Sequence, residues 1–74
     1  MNWNYRVLSK ICPNGQVTYG IYEVYYNHNK KAVSCSVDAL EAYGETLEEL
    51  KEDIIKMSQA LHLPILKFEE ILSF

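Results

Sequence analysis

The sequence predicts an α+β domain, in which a three-stranded antiparallel β-meander is followed by one long amphipathic helix and a short apolar C-terminal element. Three observations lead to this fold class. Large apolar residues occupy every second position over 3–7, which is typical of a strand. An Asn-Gly dipeptide at 14–15 follows and predicts a tight turn between antiparallel strands. Thr46 and Glu49 have the spacing of a capping box, which opens a helix.

The three strands are predicted to cover about residues 3–11, 17–26 and 32–37. The second is dense in β-branched and aromatic residues, which suit a pleated surface, and we expect it to be the central strand. A polar turn at 27–30 separates it from the third. This order completes a meander before the helix begins.

The helix is predicted over about residues 47–62. At its start, the Thr46 hydroxyl is expected to accept from the Glu49 N–H, and the Glu49 carboxylate from the Thr46 N–H. Pro64 cannot donate to a helix, so the helix should stop near His62. Its apolar residues recur three and four positions apart, in a stripe made of Leu47, Leu50, Ile54, Met57 and Leu61.

Two segments have a less defined pattern. Residues 38–43 are expected to form a loop, although their composition also suits a helical turn. The C-terminal element, 65–73, is unusually apolar for the end of a chain. It could form a short strand followed by a helical turn, either over the second face of the sheet or against a neighbouring copy.

The length of 74 residues predicts a single domain spanning residues 1–74. A domain of this size buries only about 60–65% of the surface of its unfolded chain, so its stability alone is marginal. No apolar run approaches the roughly 20 residues that a bilayer-spanning helix needs. The N-terminus also lacks the basic and apolar regions of a signal peptide. We therefore expect a cytoplasmic protein that does not bind membranes.

The charge balance argues against direct binding of nucleic acid. Seven basic and ten acidic residues give a net charge of −3, and the largest basic cluster is Lys30-Lys31. The acidic residues concentrate at 41–53, around the start of the helix. They favour a basic partner if the partner is charged, or they form a solvated helix face that complements the helix dipole.

The sequence offers little material for catalysis, and we expect no catalytic, cofactor-binding or metal-binding residues. Cys12 and Cys35 are predicted to be free thiols, with Cys35 packed in a strand. His28 falls in the second turn and His62 in the last turn of the helix, where each has a simpler structural role than catalysis.

Aromatic residues are the best candidates for contacts with another protein. Six tyrosines are present, and four of them lie in the second strand. Tyrosine supplies a large contact area at low entropy cost and recurs at recognition sites. The candidate protein-contact residues, taken from the strands and the apolar tail, are Trp3, Tyr5, Tyr19, Ile21, Tyr25, Phe68 and Phe74.

Three segments, 3–7, 19–26 and 43–50, resemble a group of short bacterial proteins of unknown function. The order of the elements also resembles the N-terminal domain of the antitoxin HicB, in which a Gly-Asp/Glu-Thr-Leu-Glu-Glu segment, here 44–49, opens the helix. This second resemblance implies a partial RNase H-like fold that binds and blocks a small toxin ribonuclease, usually as an oligomer. The chain lacks the DNA-binding segment of that family and the acidic metal ligands of a working RNase H.

The function that these observations favour is non-catalytic protein binding. We expect a small regulator or inhibitor, antitoxin-like, whose protein partner is either a second copy, forming a homodimer, or a different protein. Two alternatives remain open. One is a dimeric small-molecule or nucleotide sensor that holds its ligand between aromatic faces. The other is a phage-type anti-defence protein that mimics nucleic acid through its acidic helix.

Overall fold

A computed structural model describes residues 2–72 as one four-stranded mixed sheet with helical segments on both faces. The α+β class is confirmed. In chain order the elements are β1 (Asn2–Ile11), β2 (Val17–Tyr26), β3 (Ala32–Cys35), α1 (Leu47–Ser58), a 3-10 turn (Gln59–His62), β4 (Leu66–Lys67) and α2 (Phe68–Leu72).

The strands lie in the order β3-β2-β1-β4. The first three form the predicted antiparallel meander, with β1 and β2 paired over their full length. The expectation of a three-stranded sheet is wrong, because β4 adds a fourth strand parallel to β1, with Leu66 opposite Leu8. The apolar tail therefore does form a short strand followed by a helical turn, and α2 is a second helix that the predicted fold class did not include.

The third strand is shorter than predicted, since it ends at Cys35 and not at residue 37. Its pairing with β2 shifts register between Tyr25 and Tyr26. Beyond the strand, the Ser36 hydroxyl accepts from the Glu23 N–H at 3.2 Å, so a side chain takes the place of a ladder carbonyl. The Ser36 N–H still donates to the Glu23 carbonyl oxygen at 2.9 Å, and Val37 beyond it is 69% exposed.

The core lies mainly on one face of the sheet. Successive side chains of a strand point to opposite faces, so Leu8 and Val7 face opposite ways. The Leu8 face is covered by α2 and holds the cluster Leu8, Tyr22, Val24, Cys35 and Ile71. On the Val7 face, α1 and the 3-10 turn pack against β1 and bury Met57 and Ala60. The Val7 face is therefore covered only above β1, and only a few side chains cover it.

The helix begins where the sequence predicts, but the α-helix itself ends at Ser58, and the 3-10 turn Gln59–His62 completes the predicted range. The Thr46 hydroxyl accepts from the Glu49 N–H at 3.1 Å, as in a capping box. The Glu49 carboxylate accepts from the Glu45 N–H at 3.0 Å and not from the Thr46 N–H, so the reciprocal half of the box is displaced by one residue. The last turn is a 3-10 turn that ends before Leu63, whose extended conformation is the one that a following proline favours.

Candidate protein-binding surface

One face of α1 is apolar and faces outward. The sequence predicts a five-residue apolar stripe on this helix, yet Met57 is its only fully buried member. Leu47, Ile54 and Leu61 are 64%, 50% and 69% exposed. Leu47 and Ile54 lie about 20° apart around the axis of α1, at 3.6 residues per turn, and Leu61 follows in the 3-10 turn that continues the helix. We call these three residues the α1 stripe.

The anchoring of Asp53 explains why the stripe faces outward. The Tyr5 hydroxyl, on β1, donates to Asp53 Oδ1 at 2.7 Å, and the Tyr43 N–H donates to Asp53 Oδ2 at 2.9 Å. Asp53 thus faces the sheet together with Met57 and Ala60. Because Asp53 lies about 100° from Ile54 around the helix, fixing Asp53 against β1 turns the α1 stripe away from it.

Sequence reasoning missed this role of Asp53, because it assigned the residue to a solvated acidic face. A signal was present in the spacing of Asp53, Met57 and Ala60, which recur at i, i+4 and i+7 and so share one side of a helix. Met57 and Ala60 are buried at 6% and 1% exposure. An aspartate on the same side as two buried residues indicates a carboxylate with a specific partner.

The Tyr5–Asp53 contact shifts the pKa of both groups. The hydrogen bond to Asp53 raises the pKa of Tyr5 to about 12, with smaller contributions from burial and from the charges of Asp53 and Glu23. The same hydrogen bond, together with the Tyr43 N–H, lowers the pKa of the Asp53 carboxyl. The contact therefore stabilises the fold with Tyr5 neutral and Asp53 ionised.

This contact predicts a loss of stability at both extremes of pH. The contribution of Tyr5 is present below about pH 10 and is lost as the pH rises towards 12, while that of Asp53 is lost as the pH falls below about 4. We expect Asp53→Asn to move the tyrosine that titrates near pH 12 towards 10 in an absorbance titration, and Tyr5→Phe to remove that step. An unchanged titration of Asp53→Asn would contradict the contact.

A cleft of about 380 Å³ lies on the other side of α1, between the helix, the sheet and the 38–44 segment. Tyr5, Leu40 and Met57 supply apolar surface, and Lys56 is the one basic residue in the lining. The carboxylates in the lining are Glu23, Glu41, Glu45, Glu49, Glu52 and Asp53. This lining repels phosphate groups, so the cleft is a poor match for the nucleotide ligand considered above.

Within residues 2–72, no group of three or more His, Cys, Asp or Glu side chains is placed to hold a metal ion. Cys35 is a free, buried thiol whose pKa is raised by burial, which is the opposite of what a reactive cysteine needs. It therefore occupies the packed strand position that the sequence predicts.

The predicted contact residues of the sheet lie towards two different ends of the β1–β2 pair, with Trp3, Tyr5 and Tyr25 near one end and Tyr19 near the other. Trp3, 48% exposed, meets Tyr5 edge-on with ring centroids 5.2 Å apart, and Tyr25 lies opposite Trp3 on β2. Tyr19 is 66% exposed but lies six residues from Tyr25, roughly 20 Å along the strand. Ile21 is half-buried between them. The predicted patch is therefore not one continuous surface.

The tyrosine hydroxyls at the Trp3 end already have partners. Tyr5 donates to Asp53, and Tyr25 donates to Glu23. Phe68 packs against Tyr22 in the core, with the two ring centroids 5.7 Å apart. The Lys10 Nζ lies over the Phe68 ring, 4.3 Å from its centroid. Phe74 lies outside the described residues. Trp3 and Tyr19 are thus the exposed members of the predicted set within residues 2–72.

Comparisons with protein-family models, with curated proteins and with solved structures each found no match to this chain. Among the described residues, no helix is both long and apolar enough to cross a membrane.

Proposed function

We propose that the chain is a small non-catalytic protein-binding module that binds its partner through the α1 stripe. The observation that carries this proposal is the exposure of Leu47, Ile54 and Leu61, at half of their surface or more, on a helix that begins with a well-formed N-cap. Neighbouring Ile55 is also 60% exposed. The largest apolar patch on a typical monomer covers roughly 300–600 Å² and is often functional, and these exposed side chains are the candidates for such a patch here.

The energetics of the domain support this proposal. Full burial of one leucine or isoleucine side chain contributes roughly 1.5–3 kcal/mol, so covering the α1 stripe would stabilise the protein by several kcal/mol. The buried core is small by comparison, with eight hydrophobic residues in the described part of the chain: Val7, Leu8, Tyr22, Val24, Cys35, Met57, Ala60 and Ile71. A small domain with so limited a core gains in proportion from a partner.

The form of binding that we propose is that of a cytoplasmic regulator or inhibitor, antitoxin-like. The resemblance to the HicB domain rests on the order of the first four elements, three strands and then α1, and on the helix that opens at Thr46, and both support this form. β4 and α2 are not part of that resemblance. The alternative function, a dimeric sensor, needs a ligand between aromatic faces. The cleft beside α1 is lined by carboxylates that repel a phosphate-bearing ligand, which favours protein binding over nucleotide sensing.

A pull-down tests this proposal. A tagged copy of the chain is incubated with extracts of the cells that make it, and the proteins that it retains are identified. We expect the wild-type chain to retain a protein in stoichiometric amount, and Ile54→Lys to lose it, because a charge in the centre of the stripe cannot be desolvated without a partner. Glu52→Gln is the matched control, since it changes the net charge by the same amount on the opposite side of the helix. Equal retention by Ile54→Lys and wild type would contradict the proposal.

A further inference from the structure

We infer that the partner of the α1 stripe is a second copy of this chain, bound so that the two α1 helices run antiparallel across a two-fold axis at Ile54. This inference rests on the proposed function, because it names the partner of the same surface. Three features carry it: the spacing of the stripe, the flanks on either side of it and the area that it covers.

The spacing of the stripe is symmetric about Ile54. Leu47 precedes Ile54 by seven residues, and Leu61 follows it by seven. In an antiparallel pair centred on Ile54, the two Ile54 side chains meet, and Leu47 of one copy meets Leu61 of the other. A two-fold interface requires this kind of self-complementary surface.

The two flanks of the stripe favour the antiparallel direction. One flank carries Glu48 and Lys51, which are exposed and pair with each other at 3.8 Å. The other flank carries Asp53 and Met57, which face the sheet. In a parallel two-fold pair, the exposed flank of one helix would face the sheet-packed flank of the other. In an antiparallel pair, the two exposed flanks face each other. The antiparallel pair also opposes the two helix dipoles favourably.

The area is sufficient for a weak, specific dimer. The helical segment from Leu47 to His62 has sixteen residues and is about 24 Å long. Its stripe and flanks would bury on the order of 500 Å² per copy, so about 1,000 Å² in total, which is the lower bound for a specific interface. We therefore expect a dimer that forms at micromolar concentrations.

Disulfide formation between variants that each carry one added cysteine tests the geometry. The background is Cys12→Ser, with the buried Cys35 retained. Under mild oxidation, Ile54→Cys should convert most of the 8.6 kDa chain to a covalent dimer. Leu47→Cys and Leu61→Cys should cross-link poorly alone but efficiently when mixed. The stripe residues are exposed, so these substitutions leave the core intact. Glu52→Cys, on the far side of the helix, is the control and should not form a covalent dimer.

Two results would overturn the inference. Efficient cross-linking of Leu47→Cys with itself would show a parallel pair, and no cross-linking above the Glu52→Cys control in any variant would show that copies do not meet at the stripe. Failure of the inference is distinguishable from failure of the proposed function. If the variants do not cross-link but a different protein is retained on the tagged chain and lost with Ile54→Lys, the second copy is wrong and protein binding by the stripe stands. If the variants do not cross-link and no protein is retained, both are wrong.

Discussion

Replacing Gly44 with alanine is expected to destabilise the domain by about 2–4 kcal/mol. At Gly44 the chain passes directly against the first turn of α1. A Cβ atom there would overlap the backbone nitrogen of Leu50 and lie 2.7 Å from the backbone carbon of Glu49. Both atoms belong to the backbone of the helix, so neither moves aside as the end of a flexible side chain would.

The segment around Gly44 is also held in place on both sides. The Tyr43 N–H donates to Asp53, and the Glu45 N–H donates to Glu49. Relieving the overlap therefore means breaking these hydrogen bonds or the first turn of α1. Because the same contacts orient α1, Gly44→Ala should also reduce the helical content of the folded protein.

Urea unfolding followed by circular dichroism, at one protein concentration, measures this effect. Gly15→Asn is the matched control. Gly15 has a φ of +87°, and a Cβ atom added there would have no neighbouring atom within 4 Å. Asparagine tolerates this left-handed region, so we expect the control to lose less than about 1 kcal/mol. A Gly44→Ala variant as stable as the control would mean that the chain does not pass against the helix as described.

The parts of the fold that the sequence predicts are those fixed by neighbouring residues. The β1–β2 turn follows from its Asn-Gly pair: the Gly15 N–H donates to Cys12 O at 2.8 Å, and Asn14 Oδ1 accepts from the Gln16 N–H at 2.9 Å. The start of α1 follows in the same way from Thr46. Such contacts span a few residues, so their signals are visible in short stretches of sequence.

The parts that sequence reasoning missed depend on contacts between distant residues. β4 has only two residues, and its apolar character alone does not show that Leu66 pairs with Leu8, 58 positions away. The orientation of α1 depends likewise on one hydrogen bond between Tyr5 and Asp53, 48 positions apart. The helical period showed which residues of α1 share a side, but not which part of the apolar stripe faces the sheet.

The candidate surface was therefore only partly predictable. The apolar residues of α1 were identified correctly, but they were expected to pack on the sheet. The aromatic residues expected to form a contact patch lie partly in hydrogen-bonded or core positions, as Tyr25 and Phe68 show. Apolar side chains are exposed on α1 as well as on the sheet, because the hydrogen bonds of Asp53 turn the α1 stripe outward.

Ile54→Lys is expected to abolish self-association, which is the largest effect of any substitution on the α1 stripe. Ile54 lies at the proposed two-fold axis, so a dimer of the variant would place two lysine ammonium groups, one from each copy, against each other in an apolar interface. Both desolvation and like-charge repulsion oppose such a pair. Because Ile54 is 50% exposed in the single chain, the variant should retain the fold of the wild type.

Sedimentation equilibrium of the wild-type chain across the micromolar range, beside Ile54→Lys and the control Glu52→Gln, tests the central claim most directly. The account predicts that the average mass of the wild type and of Glu52→Gln rises from 8.6 kDa towards twice that value with concentration, while Ile54→Lys stays at the monomer mass. A wild-type chain that remains monomeric at all these concentrations, or an Ile54→Lys variant that associates as the wild type does, would contradict it.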